Sequence, residues 1–189
     1  ALCRIVGLRR LCICRCGLSG PIPPGIGNLV ALDELQLFGN NFSGAIPPEI
    51  GQLANLKLLS LGEYTGGADF DAAPFPHFLT ILVGLEALFL SNCNITGEIP
   101  DLSCLTALRQ LDLQNNLLEG PVPRSISALS QLQYLNLKDN AGLSGQLPLA
   151  ELGNLTRLNR LSVVNTGLQV TAEHAKTLDR VIPRCKVWL

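Results

Sequence analysis

Residues 32–55 read LDELQLFGNNFSGAIPPEIGQLAN, and residues 108–131 read LRQLDLQNNLLEGPVPRSISALSQ. Superimposed, the two stretches place Leu at the first, fourth and sixth positions and Asn at the ninth. Units of this form begin at Leu8, Leu32, Leu56, Leu85, Leu108, Leu132 and Leu158, at intervals of 24, 24, 29, 23, 24 and 26 residues. Asn or Cys fills the ninth place in five of them: Cys16, Asn40, Cys93, Asn116 and Asn140. A fixed period of this length marks an architecture of stacked units.

The spacing dictates what one unit does. Leu35 and Leu37 alternate with Gln36 and Phe38, the period of a strand with one buried face. A buried Asn at the ninth place bonds backbone groups where the chain leaves the strand, and the small apolar Cys substitutes for it by packing. Gly44, Ile46, Pro47, Ile50 and Leu53 then carry the chain back along the outer face. One unit cannot bury its own leucines, so stacking creates the core. These features predict a curved solenoid with a parallel sheet inside and short helical or extended segments outside.

Composition narrows the field. Of 189 residues, 47% are hydrophobic and 15% charged, with a net charge of −1, which fits a packed core and argues against a nucleic-acid-binding surface. No apolar run reaches the ~20 residues of a membrane helix, so this segment makes no membrane contact of that kind. A membrane anchor elsewhere in a longer chain is left open. Residues 1–7 align with the tails of the other units and read as the end of an upstream repeat, residues 8–170 as about seven repeats in one domain spanning 1–189. Residues 171–189 read as a C-terminal cap near which the solenoid would end: Thr171 N-caps a helix from Ala172 to Val181, stopped by Pro183, and Trp188 covers the terminal leucines.

The runs LCICRCGLSGPIP, LFGNNFSGAIP, LSNCNITGEIP and LKDNAGLSGQLP resemble the plant-type leucine-rich repeat of receptor-like kinases, receptor-like proteins and polygalacturonase inhibitors. The resemblance covers roughly residues 8–170 and implies an α/β leucine-rich-repeat solenoid, a right-handed superhelix that recognises a protein or peptide and is not itself an enzyme. It implies an extracellular or cell-surface signalling or defence protein; an intracellular repeat protein acting as scaffold or regulator is the alternative. The third unit departs from the pattern, with Tyr64 at the ninth place and no small-Gly-x-Ile-Pro run.

Candidate partner-binding residues follow from the outward places of the strands: Gln36, Phe38, Phe89, Ser91, Asp112, Gln114, Asn136 and Lys138, with Tyr134 extending the surface from a third place. Two outward aromatics among small polar neighbours have the composition of a binding hot spot, against the ordinary reading of scattered exposed rings. Five extra residues of the third unit fall between Tyr64 and Pro74, in a Gly-containing loop in which Tyr64, Asp69, Phe70 and Asp71 could touch a partner near the concave rim; Asp69 and Asp71 alone fall short of a calcium cage. Residues 32–107 hold nine acids and one Lys between more basic ends, a pattern that steers a basic peptide or simply solubilises the surface.

Cys12, Cys14 and Cys16 draw attention as a cluster, but alternation turns Cys16 inward, and residues two apart on a strand are distant for an easy disulfide. An odd, dispersed set of seven cysteines fits a reducing compartment at least as well as a disulfide framework. Three sequons, at Asn41, Asn94 and Asn154, are possible glycosylation sites that also arise from the repeat consensus. The two histidines, His77 and His174, stand alone, and no catalytic constellation, metal site or cofactor is expected.

Overall fold

The computed structural model describes residues 5–62 and 69–189. In chain order the strands are β1 (Arg10–Cys12), β2 (Ser19–Pro21), β3 (Glu34–Gln36), β4 (Asn41–Gly44) and β5 (Leu58–Ser60). There follow β6 (Asp69–Phe70), β7 (Ala73–Pro74), β8 (Ala87–Phe89), β9 (Ile95–Glu98) and β10 (Gln110–Asp112). The last are β11 (Leu117–Gly120), β12 (Tyr134–Asn136), β13 (Gly142–Leu143), β14 (Arg160–Ser162) and β15 (Lys186–Trp188).

Eight strands form one parallel sheet in the order β1-β3-β5-β8-β10-β12-β14-β15. Its register sets Leu11, Leu35, Leu59, Leu88, Leu111, Leu135, Leu161 and Val187 side by side. All but Val187 are buried. Opposite the sheet the chain returns through short 3-10 turns such as Pro48–Gln52, entered from Pro47 at φ −68°, with Ile50 and Leu53 fully buried. Proline fixes the entry angle and gives up no bonded N–H there. In the sixth unit a five-residue helix, α1 (Leu149–Gly153), takes this role. Strands repeat every ~4.8 Å, and helical turns need more room, so the stack curves with the large sheet on its inner side.

Between the inner sheet and the outer turns run two further parallel sheets, β2-β4-β6 and β7-β9-β11-β13, which the periodicity of leucines does not announce. The small-Gly run forms them: Gly44, Gly97 and Gly120 each take φ +71°, in the left-handed region that a Cβ disfavours. The five-residue excess of the third unit falls where these sheets part. Ser43 and Gly44 pair with Asp69 and Phe70, whereas Ala73 and Pro74 pair with Ile95 and Thr96.

That geometry corrects the reading of the insertion. Phe70 is 2% exposed: it fills the core position that Phe42, Ile95 and Leu118 occupy in other units instead of standing on the surface. Asp69 and Asp71 are exposed, but on the lateral surface rather than at the concave rim. Tyr64 lies outside the described residues.

The ninth-place asparagines tie unit to unit. Asn116 Oδ1 accepts from Cys93 N–H and Ile95 N–H, both at 3.0 Å, and its Nδ2 donates to Leu90 O at 2.8 Å and Leu113 O at 2.9 Å. Asn40 does the same with Cys16, Leu18, Ile13 and Leu37. Asn140 bonds Leu118 N–H and the carbonyls of Leu113 and Leu137. Cys93 takes the place as a buried thiol, whereas Cys16 is exposed and its Sγ turns to Cys14 O at 3.2 Å.

At the far end, α2 covers Ala172–Val181. Thr171 Oγ1 accepts from His174 N–H, and His174 Nδ1 accepts from Thr171 N–H, both at 3.2 Å. His174 thus plays the part that Glu or Gln plays in a capping box. Trp188 does not cover the terminal leucines. Strand alternation gives that position to Val187 and sets Trp188 beside Ser162, 47% exposed.

Asn116→Ala should cost about 3 kcal/mol or more in urea unfolding, because it strands two N–H groups and two carbonyls in the core. A loss below about 1 kcal/mol would show that the backbone re-pairs without the side chain.

Candidate functional site

The fifth-place side chains form a row across the concave face: Cys12, Gln36, Ser60, Phe89, Asp112, Asn136, Ser162 and Trp188, each on the strand beside the next. Between the second and fourth units this surface sinks into a hollow of about 260 Å³, lined by Phe38, Phe89, Gln36, Ser91, Asp112 and Gln114 around Ser60 and Gly62. The third unit makes the gap. Its two small outward residues lie between a ring from the unit before and a ring from the unit after. Gly62 is required: a Cβ there would fall 1.6 Å from Ser91 O.

The far end of the hollow is polar and closed by hydrogen bonds. Asp112 Oδ1 accepts from Gln114 N–H at 3.0 Å, and Oδ2 accepts from Tyr134 Oη–H at 3.1 Å and from Asn136 Nδ2 at 3.3 Å. Burial pushes the Asp112 carboxyl above the usual carboxylate range, against the pull of those three donors. Burial, and then the charge of Asp112, push the Tyr134 phenol up to about 12. Beyond Phe89 a second hollow of about 390 Å³ opens beside Tyr134, Asn159 and Arg160.

Six of the nine residues proposed from strand alternation therefore meet at one place: Gln36, Phe38, Phe89, Ser91, Asp112 and Gln114. Tyr134 and Asn136 join through the Asp112 network, and Lys138 sits half-buried with its Nζ 3.5 Å from Asp139 Oδ2. One expectation needs correction: Ser91, Asp112, Gln114 and Asn136 are buried rather than projecting outward. Strands ~4.8 Å apart crowd the outward side chains, and Asp112 accepts from Asn136 and Tyr134 across that spacing.

Three features escaped the sequence reading. Trp188 belongs to the fifth-place row, a signal present in the alternation of KVWL against the leucine pattern. The eighth place of each described unit has positive φ: Arg15, Gly39, Asn92, Asn115, Asp139 and Asn165. Gly, Asn and Asp fill five of the six, as a left-handed turn demands, and their side chains stack, with Asn115 Nδ2 donating to Asn92 and Asn165 Nδ2 to Asp139 at 2.7 Å. The second places, finally, form a row of alternating charge: Arg9 meets Asp33 at 2.7 Å, and Glu86 lies between Lys57 at 4.0 Å and Arg109 at 3.3 Å. That row takes up two of the nine acids of residues 32–107, Asp33 and Glu86. Among the described residues no group of three or more His, Cys, Asp or Glu is placed to hold a metal ion, and no helix is long and apolar enough to cross a membrane.

A parallel stack of leucine-bearing strands with a hollow in its inner face defines a repeat architecture. Leucine-rich-repeat family models match residues 7–29, 31–53 and 83–130. TMV resistance protein N of Nicotiana glutinosa is 35% identical over 78% of this chain and 13% of its own length; Receptor-like protein 6 of Arabidopsis thaliana is 32% identical over 81% and 16%. The crystal structure of the ectodomain of the Arabidopsis receptor kinase HAESA with an IDA peptide hormone is 34% identical, covers 79% of this chain and 27% of that one, and has a TM-score of 0.70. The chain belongs to the leucine-rich-repeat family, with repeats of the kind found in plant receptor-like proteins and receptor kinases. It spans less than a fifth of the length of these two curated relatives.

The raised carboxyl of Asp112 fixes a pH dependence. Between its unfolded value near 3.8 and its higher folded value, the native state holds a proton that the unfolded chain has released, so stability falls as pH rises through that window. The stability of the wild type relative to Asp112→Asn should therefore decline from acid to neutral pH in parallel urea titrations. A difference that grows with pH would place the carboxylate in a stabilising environment instead.

Proposed function

We propose that this chain is the recognition part of a plant-type receptor-like or inhibitor protein in signalling or defence, and that it binds a peptide or protein segment on its concave face. The observation that carries this reading is the hollow between Phe38 and Phe89, floored by Ser60 and Gly62. Two half-buried rings flanking a gap one unit wide accept an apolar side chain of a ligand. The polar groups around it meet the ligand backbone. Strand pairing and the ninth-place asparagines hold the backbone of the face in place before a partner arrives, which lowers the ordering cost of binding. The peptide hormone in the HAESA structure supports the same choice of partner class.

Selection of a displayed random peptide library on the protein tests this. The enriched peptides should carry a bulky apolar residue, and Phe38→Ala with Phe89→Ala should weaken them about 30-fold or more, equivalent to about 2 kcal/mol. Thermal unfolding should move little, because both rings line the hollow. Peptides that bind the double variant as well as the wild type would locate recognition elsewhere.

The same reading puts the chain outside the cell or at its surface. Asn41, Asn94 and Asn154 are all exposed, but Asn94 Nδ2 donates to Phe70 O at 2.8 Å, a bond that competes with glycan attachment at that nitrogen. An intracellular scaffold is the second reading, favoured by the exposed free thiols of Cys12, Cys16 and Cys104. Intact mass of the protein from its native tissue, before and after deglycosylation, separates the two. Glycans that Asn41→Gln and Asn154→Gln largely remove support the extracellular reading; an unglycosylated chain supports the scaffold.

A further inference from the structure

Cys12 and Cys14 occupy the fifth and seventh places of the first described unit, one on β1 and one just after it, and their sulfurs lie 3.2 Å apart. This corrects the expectation that residues two apart on a strand hold their thiols out of reach. Both side chains leave the same face of the strand, and two steps of ~3.3 Å separate their Cα atoms, at the upper edge of the ~4.4–6.8 Å that a disulfide spans. The third cysteine does not take part: Cys16 Sγ is turned to the carbonyl of Cys14. The two thiols face the open concave side, Cys12 exposed and Cys14 half-buried.

We propose that Cys12 and Cys14 form a dithiol site that closes to an intrastrand disulfide by exchange with a small disulfide of the glutathione class. This inference is independent of the ligand-binding reading. The exposed Cys12 reacts first: its thiolate attacks one sulfur of the small disulfide, forms a mixed disulfide and releases one small thiolate, which takes up the proton Cys12 has lost. Cys14 then loses its proton and attacks the Cys12 sulfur. The second small thiol leaves with that proton, so two cysteine thiols are oxidised while one small disulfide is reduced to two thiols.

The order follows from the surroundings. Burial, reinforced by the bond to Cys12, pushes the Cys14 thiol up to about 12, with Arg15 pulling the other way. Cys14 is therefore a poor first nucleophile, and its role is to resolve a bond already within contact distance. Closure brings the sulfurs from 3.2 Å to the ~2.05 Å of a bond. It pulls on a segment whose Ile13 N–H donates to Gln36 O at 2.9 Å and whose Arg15 N–H donates to Phe38 O at 3.0 Å. Its formation acts on two residues of the hollow, since Gln36 and Phe38 accept those bonds.

The chain is suited to a direct test, because tryptic cleavage after Arg10 and Arg15 releases Leu11–Arg15, which contains these two cysteines and no other. The full chain is incubated with glutathione disulfide, quenched in acid, alkylated, digested and weighed. The wild type should yield this peptide lighter by two hydrogens and unalkylated, restored by dithiothreitol. Cys14→Ser should trap glutathione on Cys12, and Cys16→Ser should behave as the wild type. Glutathione retained on wild-type Cys12, a bond from Cys12 to any other cysteine, or no reaction at Cys12 would each overturn the proposal.

Discussion

The bond set of the ninth-place asparagine is the constraint on which this architecture rests. A chain that turns away from a buried strand must hide several backbone N–H and C=O groups from water at the corner, and each left bare costs about 1–3 kcal/mol. Asn116 meets two donors and two acceptors at once, some on its own unit and some on the unit before. One side chain thereby dries the corner and fixes the distance between successive turns. The leucines supply the larger share of the burial, yet they are non-directional. The amide decides where one unit sits on the next.

A repeat fixed this tightly limits how a binding surface arises. The backbone cannot open a cleft, so relief on the concave face comes from the size of the outward side chains alone. The hollow between Phe38 and Phe89 exists because the intervening unit carries Ser60 and Gly62. At Gly62 the close approach of Ser91 O allows nothing larger, so stacking and the binding surface select the same residue. The Asp112–Tyr134–Asn136 network applies the same economy to polar groups: Tyr134 and Asn136 bond each other along β12 and both donate to Asp112 on the adjacent strand.

The cysteines show how the strand period shapes chemistry as well as packing. Alternation sends every second side chain to one face, which brings the sulfurs of Cys12 and Cys14 to 3.2 Å. The same alternation explains why the sequence reading misjudged the pair. Backbone rise suggests a separation near that of the Cα atoms, but two side chains on one face lean together when nothing stands between them. Burial isolates Cys93, so a count of cysteines says little about which of them can react.

Leucines at the first, fourth and sixth places and Asn at the ninth determined the strands, their parallel order, the inward face and the outer return, because each is a local consequence of period and polarity. They also named most of the concave residues, since alternation alone assigns a side chain to a face. Height above that face was decided only in the folded stack, where Ser91, Asp112, Gln114 and Asn136 are buried. Phe70, a candidate contact residue when read within a Gly-containing loop, became core when its segment paired with β4. Trp188 and Val187 exchanged roles through the register of β15 on β14, and the second-place charges alternate in space because residues about 24 apart become neighbours. A repeating sequence specifies its unit; burial, register and cross-unit contact belong to the stack, since each depends on residues at least one full repeat away.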